Sequence, residues 1–227
     1  LTSVRSQVMN AQRVPLTPDR IVDAAVVVAD RGGLAAVSMR RVGSELGVEA
    51  MSLYHHVAGK EALINLLSDA VFAKIELPAL DDPWRVGITR RSRSARAVFA
   101  RHPWALSVVD TQTVPGPAVL QSYDRIFGCL RRGGFSLELA SHAFAVVDSY
   151  VYGFALTERN LPFDSAGSGA VDHLEGMAEM LADLPYLAEF AAAAMAESTY
   201  TFAGEFEYGL TVILDELERR LAGEGTP

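Results

Sequence analysis

Apolar residues recur along this chain at spacings of three and four. Ile21, Ala24 or Ala25 and Val28 form one stripe, Val42 with Leu46 a second, and Leu53 with Val57 a third. Leu63, Leu66 or Leu67, Ala70 and Val71 make a fourth, which runs on to Lys74 or Ile75. Val119, Tyr123, Phe127 and Leu130 mark a later one, and Phe202, Phe206, Leu210, Ile213, Leu217 and Leu221 the last. This is the period of one face of an α-helix. No alternating strand pattern of useful length interrupts it, and there is no repeat, so the pattern predicts an all-α fold.

Caps and breakers set the expected boundaries. Thr17 and Pro18 form a cap and first-turn pair for a helix over 18–31 that Gly32-Gly33 ends. Helices over 39–46 and 50–57 complete a three-helix head, and a fourth runs over 61–75. Residues 77–82 read as a linker. Asp82-Pro83 then opens a helix to Arg101, and Pro103-Trp104 a short one ending near Asp110. Val114 to Pro117 breaks the chain before a helix that ends at Arg132, stopped by Gly133-Gly134. Ser136 caps a long helix to about Glu158, and Leu161 to Gly169 reads as a loop. A helix over 171–184, a break at Pro185, a short alanine-rich helix and a final helix over 198–221 follow. The expected organisation is an N-terminal arm over 1–16, a head over 17–63 and a helical body over 64–223.

The stretch Ser38 to Leu63 carries the chemistry. Ser38 caps the first of two short helices, Gly47 suits its sharp exit, and Val48 anchors the turn. Gly43 lies inside that first helix, where glycine costs about 1 kcal/mol against alanine, so close packing of the second helix is its expected purpose. With Leu53 and Val57 facing inward, Met51, Ser52, Tyr54, His55 and His56 face out. A short helix with small residues at its start and a polar, aromatic outer face has the layout of a helix-turn-helix recognition helix.

Charge changes the picture. The net charge of −8 is unusual for a nucleic-acid binder. Yet residues 1–60 hold seven Lys or Arg against five Asp or Glu, so they carry +2 and the remainder −10. A small basic head on an acidic body turns the head toward phosphates. The single cysteine, Cys129, excludes an internal disulfide framework and a cysteine-built zinc site, and it reads as core. A reducing cytoplasm is the simple reading. No apolar run is expected to span a bilayer, and Leu1 to Val14 shows no signal-peptide core. His55 and His56 are adjacent and so do not share a helix face, which argues against a metal; no cofactor is indicated. Gly-x-Ser-x-Gly, phosphate-loop and His-Glu-x-x-His signatures are absent, which argues against an enzyme.

Two helices carry more apolar surface than one core needs. Over 136–158, Ala140, Phe144, Val147 and Val151 form one stripe and Leu139, Val146, Tyr150 and Gly153 another. Together with the last helix, this predicts a homodimer with a helix-bundle interface.

In order and motif, the chain resembles the tetracycline-repressor family of bacterial regulators. The resemblance lies in Ile21 to Gly33, Ser38-Met39-Arg40-Arg41-Val42, Leu46-Gly47-Val48, Ser52-Leu53-Tyr54-His55-His56-Val57 and Gly59-Lys60-Glu61-Ala62-Leu63. His102-Pro103-Trp104 and Tyr152-Gly153-Phe154-Ala155 look like the body of the tetracycline-repressor subgroup. It implies a dimeric repressor whose body binds a small-molecule effector and whose head binds a double-stranded operator. Ala50, Met51, Ser52 and Tyr54 would face base edges. His55, His56 and Lys60 would meet phosphates, joined by Ser38 and Arg40 or Arg41. Ala50 and Met51 lack polar side-chain groups, so their readout would be apolar, as toward thymine methyls.

His102 either joins two helices or borders the effector cavity that the resemblance implies. Phe72, Trp84, Phe99, Trp104, Tyr123, Phe127, Tyr150 and Met177 are the other candidates to line it, though aromatics at helical spacing also serve as core. The arginine run Arg90-Arg91-Ser92-Arg93 to Arg96 reads as a solvated helix face rather than a second nucleic-acid patch. The alternative function is a small-molecule binding protein with a vestigial head.

Overall fold

The computed structural model describes residues 15–109, 115–167, 169–181, 183–196 and 201–224. The expected arm falls largely outside them, as do the starts and ends expected at Asp110, Val114 and Ser198. The described residues form twelve helices, one 3-10 turn and no strand. The chain divides into two compact units between Ile64 and Asn65.

The first unit holds α1 (Pro18–Ala36), α2 (Met39–Leu46) and α3 (Ala50–Leu53). Thr17 Oγ1 accepts the Arg20 amide at 3.3 Å, and Pro18 takes the first helical position, where its missing N–H is no loss. The helix does not stop at Gly32-Gly33. Gly33 adopts φ 68, which needs no Cβ, and the helix resumes beyond this kink to Ala36. Ile21, Ala25, Val37, Val42, Leu53 and Val57 form the core. The second short helix is briefer than its pattern suggests. Only Ala50–Leu53 is α-helical, and the His56 and Val57 amides both fold back on Leu53 O at 2.9 Å as turns.

α4 (Lys60–Phe72) is one unbroken helix that begins in the first unit and ends in the second. The second unit then runs through α5 (Trp84–Arg101), a 3-10 turn at Pro103–Ala105, α6 (Leu106–Val109), α7 (Pro117–Arg132) and α8 (Leu137–Arg159). α9 (Ala170–Gly176), α10 (Ala178–Leu181), α11 (Pro185–Ala196) and α12 (Phe202–Glu224) complete it. The expected single helix over 171–184 is interrupted at Met177, and Pro185 opens α11. α8 is the centre, packed against α5, α7 and α12. Asp82 does not cap α5 as expected. Pro83 holds that position, and the Asp82 carboxylate closes its own turn by accepting the Ala79 amide at 2.8 Å and pairs with Arg90. Gly133 stops α7 at a place where a Cβ would lie 2.7 Å from Trp84 Cβ.

Two expectations are corrected here. The arginine run is a solvated face only in part: Arg93 is exposed and Arg90 half-buried, but the run and the neighbouring Arg85 are paired with carboxylates. Arg85 pairs with Asp215 and Glu218 at 2.5 and 2.9 Å, Arg93 with Glu207 at 2.6 Å, and Arg96 with Glu158 at 2.5 Å. Arg91 is buried, 2% exposed, and pairs with Asp148. The acids come from α8 and α12, so α5 is joined to its neighbours by charge; a pattern of repeated cations cannot show that acids from distant sequence will meet them. Second, α8 is long and apolar enough to cross a membrane by length and composition. Its buried face (Ala140, Ala143, Val147, Val151 and Ala155) packs inside the bundle and carries the charged Asp148.

Candidate functional site

In the first unit, sequence and geometry converge on one outward surface. Ser38 Oγ accepts the Arg41 amide at 3.2 Å and starts α2. Gly47 ends it with φ 68 and ψ 30, the left-handed conformation that glycine reaches without strain. A Cβ on Gly43 would stand 2.9 Å from Val48 O and 3.2 Å from Ala50 N. The glycine thus lets the turn and α3 lie directly on α2. Leu53 and Val57 pin α3 from below, both buried.

What remains above is the predicted interface. Met51 is 69% exposed and Tyr54 49%, unusual for large apolar groups with nothing covering them. His55 and His56 are exposed, and Ala50 and Ser52 half-buried. Arg40 and Arg41 on α2 and Lys60 at the start of α4 are exposed, and among the described residues none of the three is paired with a carboxylate. Lys60 also sits at the positive end of its helix dipole, which costs a few tenths to about 1 kcal/mol. Ser38 is half-buried, its hydroxyl already engaged by the cap.

The nine residues expected to line a body cavity fall, among the described residues, into several separate contacts. Phe72 meets Phe99 edge-on at 6.3 Å, and Phe99 meets Tyr152 at 5.1 Å. His102 and Trp104 are buried together, their rings 6.1 Å apart. Trp84 packs on Phe135 at 4.9 Å, with its carbonyl facing the buried Cys129 thiol. Tyr150 stacks on Phe206, and its hydroxyl donates to the Glu205 and Phe206 carbonyls at 3.0 Å. Met177 is half-buried between α9 and α10. Tyr123 and Phe127 both pack on Phe144, at 5.1 and 5.2 Å.

Of these nine, Tyr123 alone borders an open cleft between α6, α7 and α8. That cleft measures about 470 Å³, within the usual range for a small-molecule site. Leu106, Tyr123, Phe144, Asp148, Tyr152 and Leu156 line it. Phe144, Asp148, Tyr152 and Leu156 are four apart, so one stripe of α8 forms the wall. The sequence singled out Tyr152 only within the family-like Tyr152–Ala155 segment and not Asp148; the signal was a lone carboxylate in register with Phe144, Tyr152 and Leu156 on an otherwise apolar helix. Burial pushes the Asp148 carboxyl upward, and attraction to Arg91 only partly opposes this. Burial, with the charge of Asp148 adding to it, raises the Tyr123 and Tyr152 phenols, which therefore stay protonated at neutral pH. Among the described residues no three His, Cys, Asp or Glu side chains come together to hold a metal.

This architecture has known relatives. Residues 21–67 match the family described as bacterial regulatory proteins, tetR family, and residues 77–221 match the tetracyclin repressor-like C-terminal domain. The HTH-type transcriptional repressor DrrR1 of Streptomyces coeruleorubidus is 35% identical over 221 residues, 93% of this chain and 82% of that one. The tetracycline repressor protein class A from transposon 1721 of Escherichia coli is 30% identical over 209 residues, 90% of this chain and 92% of that one. Among solved structures, the TetR family protein ActR of Streptomyces coelicolor in complex with actinorhodin aligns with a TM-score of 0.72 at 31% identity, over 93% of this chain and all of that one. Both domains match in order and nearly end to end, which makes this an all-α transcriptional regulator rather than an enzyme. The chain belongs to the TetR family of bacterial transcriptional regulators.

Proposed function

We propose that this protein is a homodimeric repressor that a flat, largely apolar small molecule releases from a near-palindromic operator. The observation that carries the reading is the exposed Met51–His56 surface, held up by a helix pair that Gly43 lets pack without a gap. Ala50, Met51, Ser52 and Tyr54 read bases. His55, His56, Lys60, Ser38, Arg40 and Arg41 settle on phosphates, which fix register without reading sequence. Two heads would enter successive major grooves roughly 34–36 Å apart. With DNA as its partner, the protein acts in the cytoplasm.

The dimer reading is supported by the outer side of α8 and α12. A groove there is lined by Leu139, Val146, Val212, Ile213 and Leu217. Val146 and Val212 are each about half exposed, surface that a second copy would cover. The effector reading is supported by the aromatic cleft beside α8 and by a relative at 31% identity that holds actinorhodin. A bound molecule shifts the operator equilibrium only by its differential affinity for the two shapes of the dimer.

Gel shifts on DNA from immediately upstream of the gene test the proposal. The native protein gives a salt-sensitive, sequence-preferring shift, while Tyr54→Ala and Lys60→Ala lose it with the dimer intact by sedimentation. Undiminished binding by both variants, or a strictly monomeric protein, refutes it.

A further inference from the structure

We propose that Met51 is a peroxide-sensitive modification site, and that oxidation of its thioether to the sulfoxide loosens the protein from its operator. The inference rests on the reading of the Met51–His56 surface as the base-reading face and adds a means of regulating it. Among the methionines whose side chains are described, Met39 is buried in the core of the head and Met177 is half-buried. Met51 and Met180, by contrast, are 69% and 65% exposed. The single cysteine offers no competing target. Cys129 is buried, and burial pushes its thiol up, so little of the reactive thiolate forms there. Peroxide arriving from solvent therefore meets a thioether, and on the described part of the head the exposed one is Met51.

The step is a two-electron oxidation of sulfur. The Met51 sulfur gives an electron pair to one oxygen of hydrogen peroxide, and the O–O bond breaks as the S–O bond forms. The departing hydroxide takes the proton of the transferred oxygen and leaves as water, so the peroxide is reduced. A flexible apolar side chain becomes a polar one. Its place in the head gives this change a consequence. Leu53 and Val57 fill the inward side of α3, so the oxidised group stays on the outer face. A thymine edge presents a methyl group and the O4 acceptor, neither of which donates to a sulfoxide oxygen. The phosphates alongside only accept as well. The new oxygen would give up its water without a partner, which is costly. Phosphate contacts from the cationic side chains are untouched, so the loss falls on sequence reading.

Titration of the intact protein with hydrogen peroxide tests this, followed by mass spectrometry of each methionine and by gel shift on the upstream DNA. Conversion of Met51 should lower operator affinity by at least about ten-fold, the scale of an unpaired buried polar group, and leave affinity for random DNA unchanged. The two methionine sulfoxide reductases, one for each epimer, should restore it. Met51→Leu, whatever its starting affinity, should lose nothing further on peroxide treatment, whereas Met180→Leu should lose affinity as the native protein does. Bound operator should also slow Met51 oxidation several-fold while Met180 reacts at its free rate. Full conversion of Met51 with unchanged operator affinity overturns the proposal. So does protection by Met180→Leu, or a Met51 that oxidises equally fast on operator. A native protein that gives no operator shift before peroxide is added overturns this proposal together with the repressor reading beneath it. The native titration with its reversal decides the question even where Met51→Leu binds poorly.

Discussion

The Asp69 carboxylate, in the last turn of α4, accepts the backbone N–H of Ala118 at 2.8 Å in the first turn of α7. It also reaches the Val119 amide at 3.3 Å. Gly116, at the cap position of α7, has no side chain to do this, and a Cβ there would collide with the Asp69 carboxylate. One helix therefore caps another, satisfying amides that the start of α7 would otherwise leave bare. Lys60, proposed to meet phosphate, begins the helix whose last turn supplies this cap, and Tyr123 lies on the helix being capped.

Asp69→Ala removes this cap and tests whether the proposed effector response passes through α4. The lost cap costs about 0.5–2 kcal/mol of stability, measurable by thermal melting. Operator binding should persist, while the effector dose needed to release DNA rises several-fold. A release curve superimposable on the native one would show that α4 and α7 do not communicate through this contact.

Gly43→Ala separates packing from propensity. In a free helix the change is favourable by about 1 kcal/mol. Here the added methyl meets the Val48 carbonyl and the Ala50 backbone, neither of which can swing aside as a side chain would. Overpacking of this kind costs about 1–3 kcal/mol, so the head should be destabilised and operator affinity should fall. A more stable head with full affinity would mean that α2 and α3 sit farther apart than described.

How much of this was readable in the sequence depends on the range of the interaction. Thr17, Ser38 and Ser136 act as caps through bonds to amides three residues on, so local spacing exposes them. The outward set Met51, Tyr54, His55 and His56 follows from Leu53 and Val57 facing in. Asp69 and Arg91 behave differently, since their partners lie 49 and 57 residues away. A charged residue on a helix reads as solvated until the fold supplies its counterion. The grouping of the aromatic candidates is hidden for the same reason. Aromatic residues such as Trp84 and Tyr150 stand out by type, but which of them share a wall is decided by tertiary packing, which joins Tyr123 to Phe144 and leaves Trp84 on Phe135.

Lys60 and Met51 should differ in how salt affects their contributions. A lysine on phosphate releases counterions, so Lys60→Ala should weaken binding on all sequences and reduce the slope of log affinity against log salt by about 0.9. Met51→Ala removes an apolar contact and no charge. It should leave that slope alone while narrowing the gap between operator and random DNA. Titrations of each variant at several salt concentrations measure both quantities. An unchanged slope for Lys60→Ala would remove that residue from the phosphate contacts.

The buried Arg91–Asp148 pair predicts a pH-dependent defect. Arg91→Leu leaves the Asp148 carboxylate buried without its counterion, a loss of about 3–5 kcal/mol at neutral pH. Burial already raises the Asp148 carboxyl in the native protein, against the pull of Arg91. Removing that pull raises it further above the unfolded value of about 3.9. A group whose folded pKa lies above its unfolded one stabilises the fold at low pH and loses that contribution as pH climbs through the folded value. The variant should therefore regain stability relative to the native protein as pH falls from neutral through the raised pKa of Asp148, where the carboxylate takes up a proton and its charge disappears. Glu158 and Glu207 behave oppositely: Arg96 and Arg93 hold their pKa values below the usual 4.5, so their contributions persist above that value and fail only below it. Melting temperatures of both proteins across this window measure the effect. A gap between them that stays constant with pH would mean that Asp148 keeps its charge without Arg91, and so lies in contact with water. The double variant Arg91→Leu with Asp148→Leu, which removes both charges, should recover most of the loss at pH 7.5 and show no such pH dependence.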